Sequence, residues 1–174
     1  MIDQVLYLLS NELNTHFRMK ETLASELSIV AGQKDPGDPG QLDKLVFTLV
    51  NVAPDKTLKN IRNPIGLDRV RRGPSLGLQL YVLLKADFAM YSTALNRLSQ
   101  AVSFFHDRPI FGQQHPALPE HVERVNIELE DTDLESASRL WTMLGERYMP
   151  SVLYKVRLLV DEQGPIDAPV SGME

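Results

Sequence analysis

Hydrophobic residues at Ile2, Val5, Leu6, Leu9, Leu13 and Phe17 recur every three or four positions. That spacing predicts an amphipathic helix over residues 2–18. Leu27, Ile29 and Val30 suggest a short strand ending at Gly32. The following GQKDPGDPGQLD carries two Pro-Gly pairs and reads as a turn-rich loop. KLVFTLVNVA, residues 44–53, is almost continuously apolar and predicts a strand buried on both faces. In LGLQLYVLLKA, residues 76–86, Leu76, Leu78, Leu80, Val82 and Leu84 alternate, which predicts a strand with one strongly apolar face. Phe88, Tyr91, Leu95, Leu98, Val102 and Phe105 return to helical spacing and predict a long helix ending near His106.

RPIFGQQHPALP reads as loop. ERVNIELED sets Val125, Ile127 and Leu129 against polar neighbours, the pattern of a strand with one wet face near a sheet edge. Thr132 or Asp133 is placed to cap a further helix, with Leu134, Ala137, Leu140, Trp141 and Leu144 facing inward and Gly145 as its stop. SVLYKVRLLV is the last strand. Val152, Tyr154, Val156 and Leu158 share one of its faces, and Leu153, Lys155, Arg157 and Leu159 the other. Trp141, Gly145, Tyr148, Pro150 and Tyr154 mark a structural corner between that helix and that strand. The order helix, strand, strand, strand, helix, strand, helix, strand implies an α+β (mixed α/β) domain. The expectation is a single sheet of about four to five strands with helices packed on it, forming one domain over residues 1–160. Residues 161–174, with their prolines and glycines, are expected to be a flexible C-terminal tail.

The chain has 174 residues, 43% of them apolar, which suits one domain with a real core. Its formal charge of −5 gives no general attraction to nucleic acid or an anionic membrane. The absence of cysteine excludes disulfides, Cys-ligated zinc, iron–sulfur clusters and a thiolate nucleophile. The start, MIDQVLYLLSNELN, has neither the basic opening of a signal peptide nor the unbroken apolar run of a membrane span. Folding in the cytosol, with no membrane insertion by the chain itself, is the expectation.

Catalytic signals are sparse. His16, His106, His115 and His121 are scattered, in no metal-ligand spacing. There is no GxSxG elbow, no GxGxxG and no phosphate-binding GxxxxGK[ST]. Asp35, Asp38 and Asp43 lack the alternation of a calcium loop, because Pro36 and Pro39 break it. No catalytic residue, metal ligand or cofactor site is assigned. The one conspicuous cluster lies in the long connection of residues 54–75. Lys56, Lys59, Arg62, Arg69, Arg71 and Arg72 stand there against Asp55 and Asp68. No aromatic residue is interleaved with these cations, which disfavours stacking on single-stranded nucleic acid. A solvated loop and an electrostatic contact to a protein fit it comparably.

LWTMLGERYMPSVLYKVRLLV, residues 140–160, resembles the C-terminal signature of the tail-terminator, or cap, proteins of extracellular contractile injection systems, the antifeeding-prophage and virulence-cassette type. MIDQVLYLLSNELN is similar to that family's opening helix, and VNVAPDKTLKN to its strand-to-loop transition. LGLQLYVLLKADFAMYSTALNRLSQAVSFF is similar to its central strand–helix unit. The resemblance spans about residues 1–160, with Ala53-Pro54 standing where a more acidic pair is the family's habit. It implies a phage tail-terminator-like fold and a structural role without catalysis or cofactor. The implied assembly is a hexameric ring that closes the distal end of a tube and its contractile sheath, stops polymerisation and anchors the last sheath ring. Tube protein, sheath protein and other copies of the chain are the implied partners, with assembly in the cytoplasm in a particle that is then open to release.

Two interface expectations accompany this reading. The basic residues of the 54–75 connection would face an acidic patch of Glu128, Glu130, Asp131 and Glu135 on a neighbour. An exchanged strand would add at Val125, Asn126, Ile127 and Glu128, read as an open edge guarded by charge. Lys155 and Arg157 would either reach a partner or pair with local carboxylates. The rival readings are a small enzyme or ligand-binding domain with its site on the 54–75 connection, and a nucleic-acid-binding module using the same cations.

Overall fold

The computed structural model describes residues 1–21, 27–31, 43–57 and 76–160. Three helices and six strands alternate in the order α1 (Ile2–Lys20), β1 (Ser28–Val30), β2 (Lys44–Pro54), β3 (Leu76–Asp87), α2 (Tyr91–Asp107), β4 (Ile110–Gly112), β5 (Val122–Leu129), α3 (Leu134–Leu144) and β6 (Ser151–Val160). Among the described residues they form one sheet in the order β1-β2-β3-β6-β5-β4. Every pairing is antiparallel except that of β1 with β2.

The core lies on one face of this sheet. Leu45 and Phe47 of β2, Leu80, Val82 and Leu84 of β3, and Tyr154, Val156 and Leu158 of β6 are buried at alternate positions. Against them pack Val5, Leu9, Leu13 and Phe17 of α1 and Leu98, Ala101 and Phe105 of α2. α1 buries the stripe that its spacing predicts, whereas α2 buries Ala94, Leu98, Ala101, Phe104 and Phe105 and leaves the predicted Tyr91 and Leu95 exposed; hydrophobic burial on this face is the main stabilising term. Phe105 sets its edge against both Phe47 and Tyr154, with ring centroids 6.1 and 5.5 Å away, which ties α2 to the centre of the sheet.

The structure departs from the sequence reading in four places. Six strands are present rather than four or five, because Ile110–Gly112 pairs with β5 inside the stretch expected to be loop. As a result β5 is not an edge: Asn126 lies opposite Ile110, Val125 opposite Phe111, and Ile127 N–H donates to Pro109 O at 2.8 Å. β2 is buried at Leu45, Val46 and Phe47 but exposed at Asn51 and Val52, past an irregularity between Leu49 and Asn51, so its two-sided burial covers only its first part. Finally, α3 does not join the core. Of its predicted inward residues only Trp141 is buried, and Leu134 is 91% exposed. The GQKDPGDPGQLD loop, most of the 54–75 connection and the 161–174 tail lie outside the described residues.

Candidate functional site

The second face of the sheet carries the charge. Lys155 and Arg157 both point there, away from the core side chains Tyr154, Val156 and Leu158. Lys155 Nζ meets Glu130 Oε2 at 2.6 Å, and Arg157 sits 3.7 Å from Glu128 Oε2. Asn126 Nδ2 also donates to Glu128, at 2.9 Å. The hydrogen bond from Lys155 to Glu130 holds the ammonium above its ordinary pKa, against the opposing effect of its partial desolvation. The two cations and the two carboxylates thus complete a cross-strand network within one subunit. Glu128 and Glu130 are taken up by it rather than left as an unpaired acidic patch.

Nearer β3, Lys85 is only 5% exposed and its Nζ reaches Glu146 Oε2 at 2.6 Å. This ion pair pins the segment after α3 to the sheet. At the other end of β3, Asp55 is buried. Burial pushes its carboxyl upward, but hydrogen bonds from the Thr57 hydroxyl and amide, at 2.6 and 2.9 Å, outweigh that and hold it below the ordinary range. Asp55 therefore fixes the first turn of the basic connection. Lys56 is exposed beside it, whereas Lys59, Arg62, Arg69, Arg71 and Arg72 lie outside the described residues.

The predicted corner divides in two. Asp133 caps α3 by accepting from Ser136 N–H at 2.7 Å. Gly145 ends it in the left-handed conformation, φ 65°, and its N–H turns back to the Trp141 and Thr142 carbonyls. Trp141 and Tyr148 then pack edge to face with centroids 5.4 Å apart, and Pro150 O accepts Ala86 N–H at 2.8 Å where β6 begins. Tyr154 belongs to the opposite, core face, and its hydroxyl is buried with no hydrogen-bond partner among the described residues.

The two outer strands differ. In β1, Leu27 O and Ala31 N bond to β2, so the Ser28 backbone faces outward. Asn14 of α1 closes it: Nδ2 donates to Ser28 O at 2.8 Å, and Oδ1 accepts Ser28 N–H at 2.8 Å and Leu27 N–H at 3.1 Å. Ser10 meets the Ser28 hydroxyl at 3.1 Å, and all three residues are buried. The legible signal was a polar pair, Ser10 and Asn14, spaced i, i+4 within an apolar stripe. At the other side, β4 is three residues long and, among the described residues, Glu128–Leu129 of β5 has no register partner on that side. Among the described residues, no three His, Asp or Glu side chains gather in an arrangement able to hold a metal ion. No helix there is long and apolar enough to cross a membrane.

A family model, the Pvc16 N-terminal domain, matches residues 4–171. The solved structures that match include two that cover the full chain. One is a cryo-EM structure of the PVC sheath/tube terminator of an extracellular contractile injection system in the extended state. It is 16% identical with a TM-score of 0.56, covering 100% of this chain and 63% of that one. The other is a cryo-EM structure of the anti-feeding prophage cap, a tube terminating cap, 16% identical with a TM-score of 0.57, covering 100% of this chain and 60% of that one. The chain thus spans less than two thirds of the length of either. No curated protein sequence matches it.

Proposed function

The chain belongs to the Pvc16 N-terminal domain family, and on that premise we propose that it is a structural terminator of a phage-tail-like contractile injection particle. In this reading copies of the chain form a ring, hexameric to follow the tail, that closes the distal end of the inner tube and sheath, halts polymerisation and anchors the last sheath ring. The observation that carries it is the likeness over the whole chain to two structures that are a terminator and a terminating cap. The role is one of binding and assembly rather than catalysis, with tube protein, sheath protein and further copies of the chain as partners and assembly in the cytoplasm.

A ring is built from head-to-tail contacts, so each subunit presents two different surfaces. Lys56, Lys59, Arg62, Arg69, Arg71 and Arg72 supply the cationic one. Because β4 pairs with Arg124–Asn126 of β5 and Pro109 takes the Ile127 amide, the place for an added strand moves from Val125–Ile127 to β4 itself and to Glu128–Leu129 beyond it.

Purified chain added to isolated tube–sheath assemblies tests the reading by electron microscopy. Ring-shaped density at the end distal to the baseplate, with arrested elongation, is the expected result. Bare ends that continue to elongate in excess protein would overturn it.

A further inference from the structure

Tyr148 is 68% exposed although its ring packs on Trp141. It stands where two surface depressions meet. One, of about 460 Å³, runs between α3 and the adjoining ends of β5 and β6, and is walled by Leu83, Leu129, Leu153 and Trp141. The other, of about 510 Å³, continues along α3 past Leu134 and Trp141. Leu129, Leu134, Met143 and Tyr148 are all exposed at this end of the molecule. An exposed aromatic over a buried tryptophan, ringed by aliphatic side chains, has the composition of a protein-binding hot spot. Of the acidic residues that line the two depressions, Glu130 is paired with Lys155 and Glu146 with Lys85, which leaves Asp131 exposed at the rim; among the described residues no lysine or arginine lines either. An occupant therefore needs apolar side chains for the groove and a cation placed to meet Asp131 at its rim.

Residues 58–75 of the same chain have that chemistry. Ile61, Ile65, Leu67 and Val70 are interleaved there with Lys59, Arg62, Arg69, Arg71 and Arg72. The segment leaves after Thr57 and returns at Leu76, whereas the groove lies beyond Leu83 at the opposite end of β3. Seven strand residues separate the two points, about 23 Å along the sheet. The Thr57 and Leu76 anchors of that segment and the groove are thus two different surfaces of one subunit, as a head-to-tail contact requires. We propose that the Trp141–Tyr148 groove receives the 58–75 segment of a second copy of the chain. This rests on the ring reading above and gives it a specific subunit contact.

The test places a photoreactive benzoylphenylalanine at position 148 of the full chain, in a mixture of light and heavy-isotope protein over a concentration series. The expected product joins position 148 of one copy to a peptide within residues 58–75 of the other. Tyr148→Glu, or Arg69, Arg71 and Arg72 together to Glu, should weaken self-association about tenfold or more with unchanged circular dichroism. Crosslinks confined to one chain, crosslinks to another part of the second copy, or no crosslink at any concentration would each overturn the contact. Capping of tube–sheath ends by the wild-type chain is scored separately. Capping without this crosslink removes the groove contact alone, and failure of the wild type to cap removes the terminator reading.

Discussion

Lys155 Nζ lies 2.6 Å from Glu130, although the residue directly opposite Lys155 in the β5–β6 register is Glu128. Each cation reaches diagonally, Lys155 to Glu130 and Arg157 to Glu128. Diagonal neighbours on one face of an antiparallel pair are within reach of long side chains, so the network links β5 to β6 beyond the backbone ladder. A double-mutant cycle with Lys155→Met and Glu130→Gln should give a coupling of about 1 kcal/mol at low salt, shrinking as salt is added. Because the folded-state pKa of Lys155 is raised, this stabilisation is complete below the unfolded value of 10.5 and is lost as pH rises through the folded one. Chemical denaturation from neutral to strongly alkaline pH, with Lys155→Met as reference, checks the sign.

Tyr154→Phe should leave stability unchanged or raise it by about 1 kcal/mol, because the hydroxyl it removes is buried with no partner among the described residues. Burial also pushes the Tyr154 phenol far above its ordinary pKa of 10.0. The unfolded chain therefore ionises first, and stability falls as pH rises above that value. Thermal melts of both proteins across alkaline pH should show a shallower decline for Tyr154→Phe.

Asn14→Leu should cost about 2 kcal/mol or more, since it strands the outward N–H and C=O of Ser28 in a buried position. Asn14→Asp retains an acceptor for the amide but sets a carboxylate against the Ser28 carbonyl. It should be comparably destabilising at neutral pH and partly restored in acid. Urea denaturation at two pH values separates the two variants.

Gly145→Ala should lower stability by about 1 kcal/mol, although no atom lies within 4 Å of the added methyl group. The cost is conformational, because the residue sits at φ 65°. Gly145→Asn should recover part of it, and equal melting temperatures for wild type and both variants would show that the left-handed cap contributes nothing.

The elements that bury a face against the core were legible from the chain. Alternation in 76–86 and 151–160 gave β3 and β6, and the stripe from Ile2 to Phe17 gave α1, because hydrophobic burial imposes those periods directly. α3 has the same apolar period, yet Leu134 and Met143 are exposed. Periodicity reports that a face is apolar and is silent on whether the domain's own core or another molecule covers it. β4 was missed because three residues between Pro109 and a turn carry too little pattern to stand out. The pairing of Lys155 and Arg157 with local carboxylates was one of the two readings their placement allowed, but the choice depended on β5 lying beside β6, a long-range relation that strand patterning leaves open. The role of Asn14 depended likewise on β1 docking beside α1.

The side-chain closure at Ser28 makes the domain directional. A sheet with usable backbone on both flanks can be threaded into an indefinite row, each unit passing the next one on. Here one flank is plugged by the protein's own amide, and the opposite one ends in a strand of three residues. Among the described residues the two flanks are therefore not equivalent for backbone pairing. Ser28 also lies buried beneath α1 and meets Ser10 there, so the helix itself shields this flank and the Asn14 amide replaces the strand that the helix keeps away.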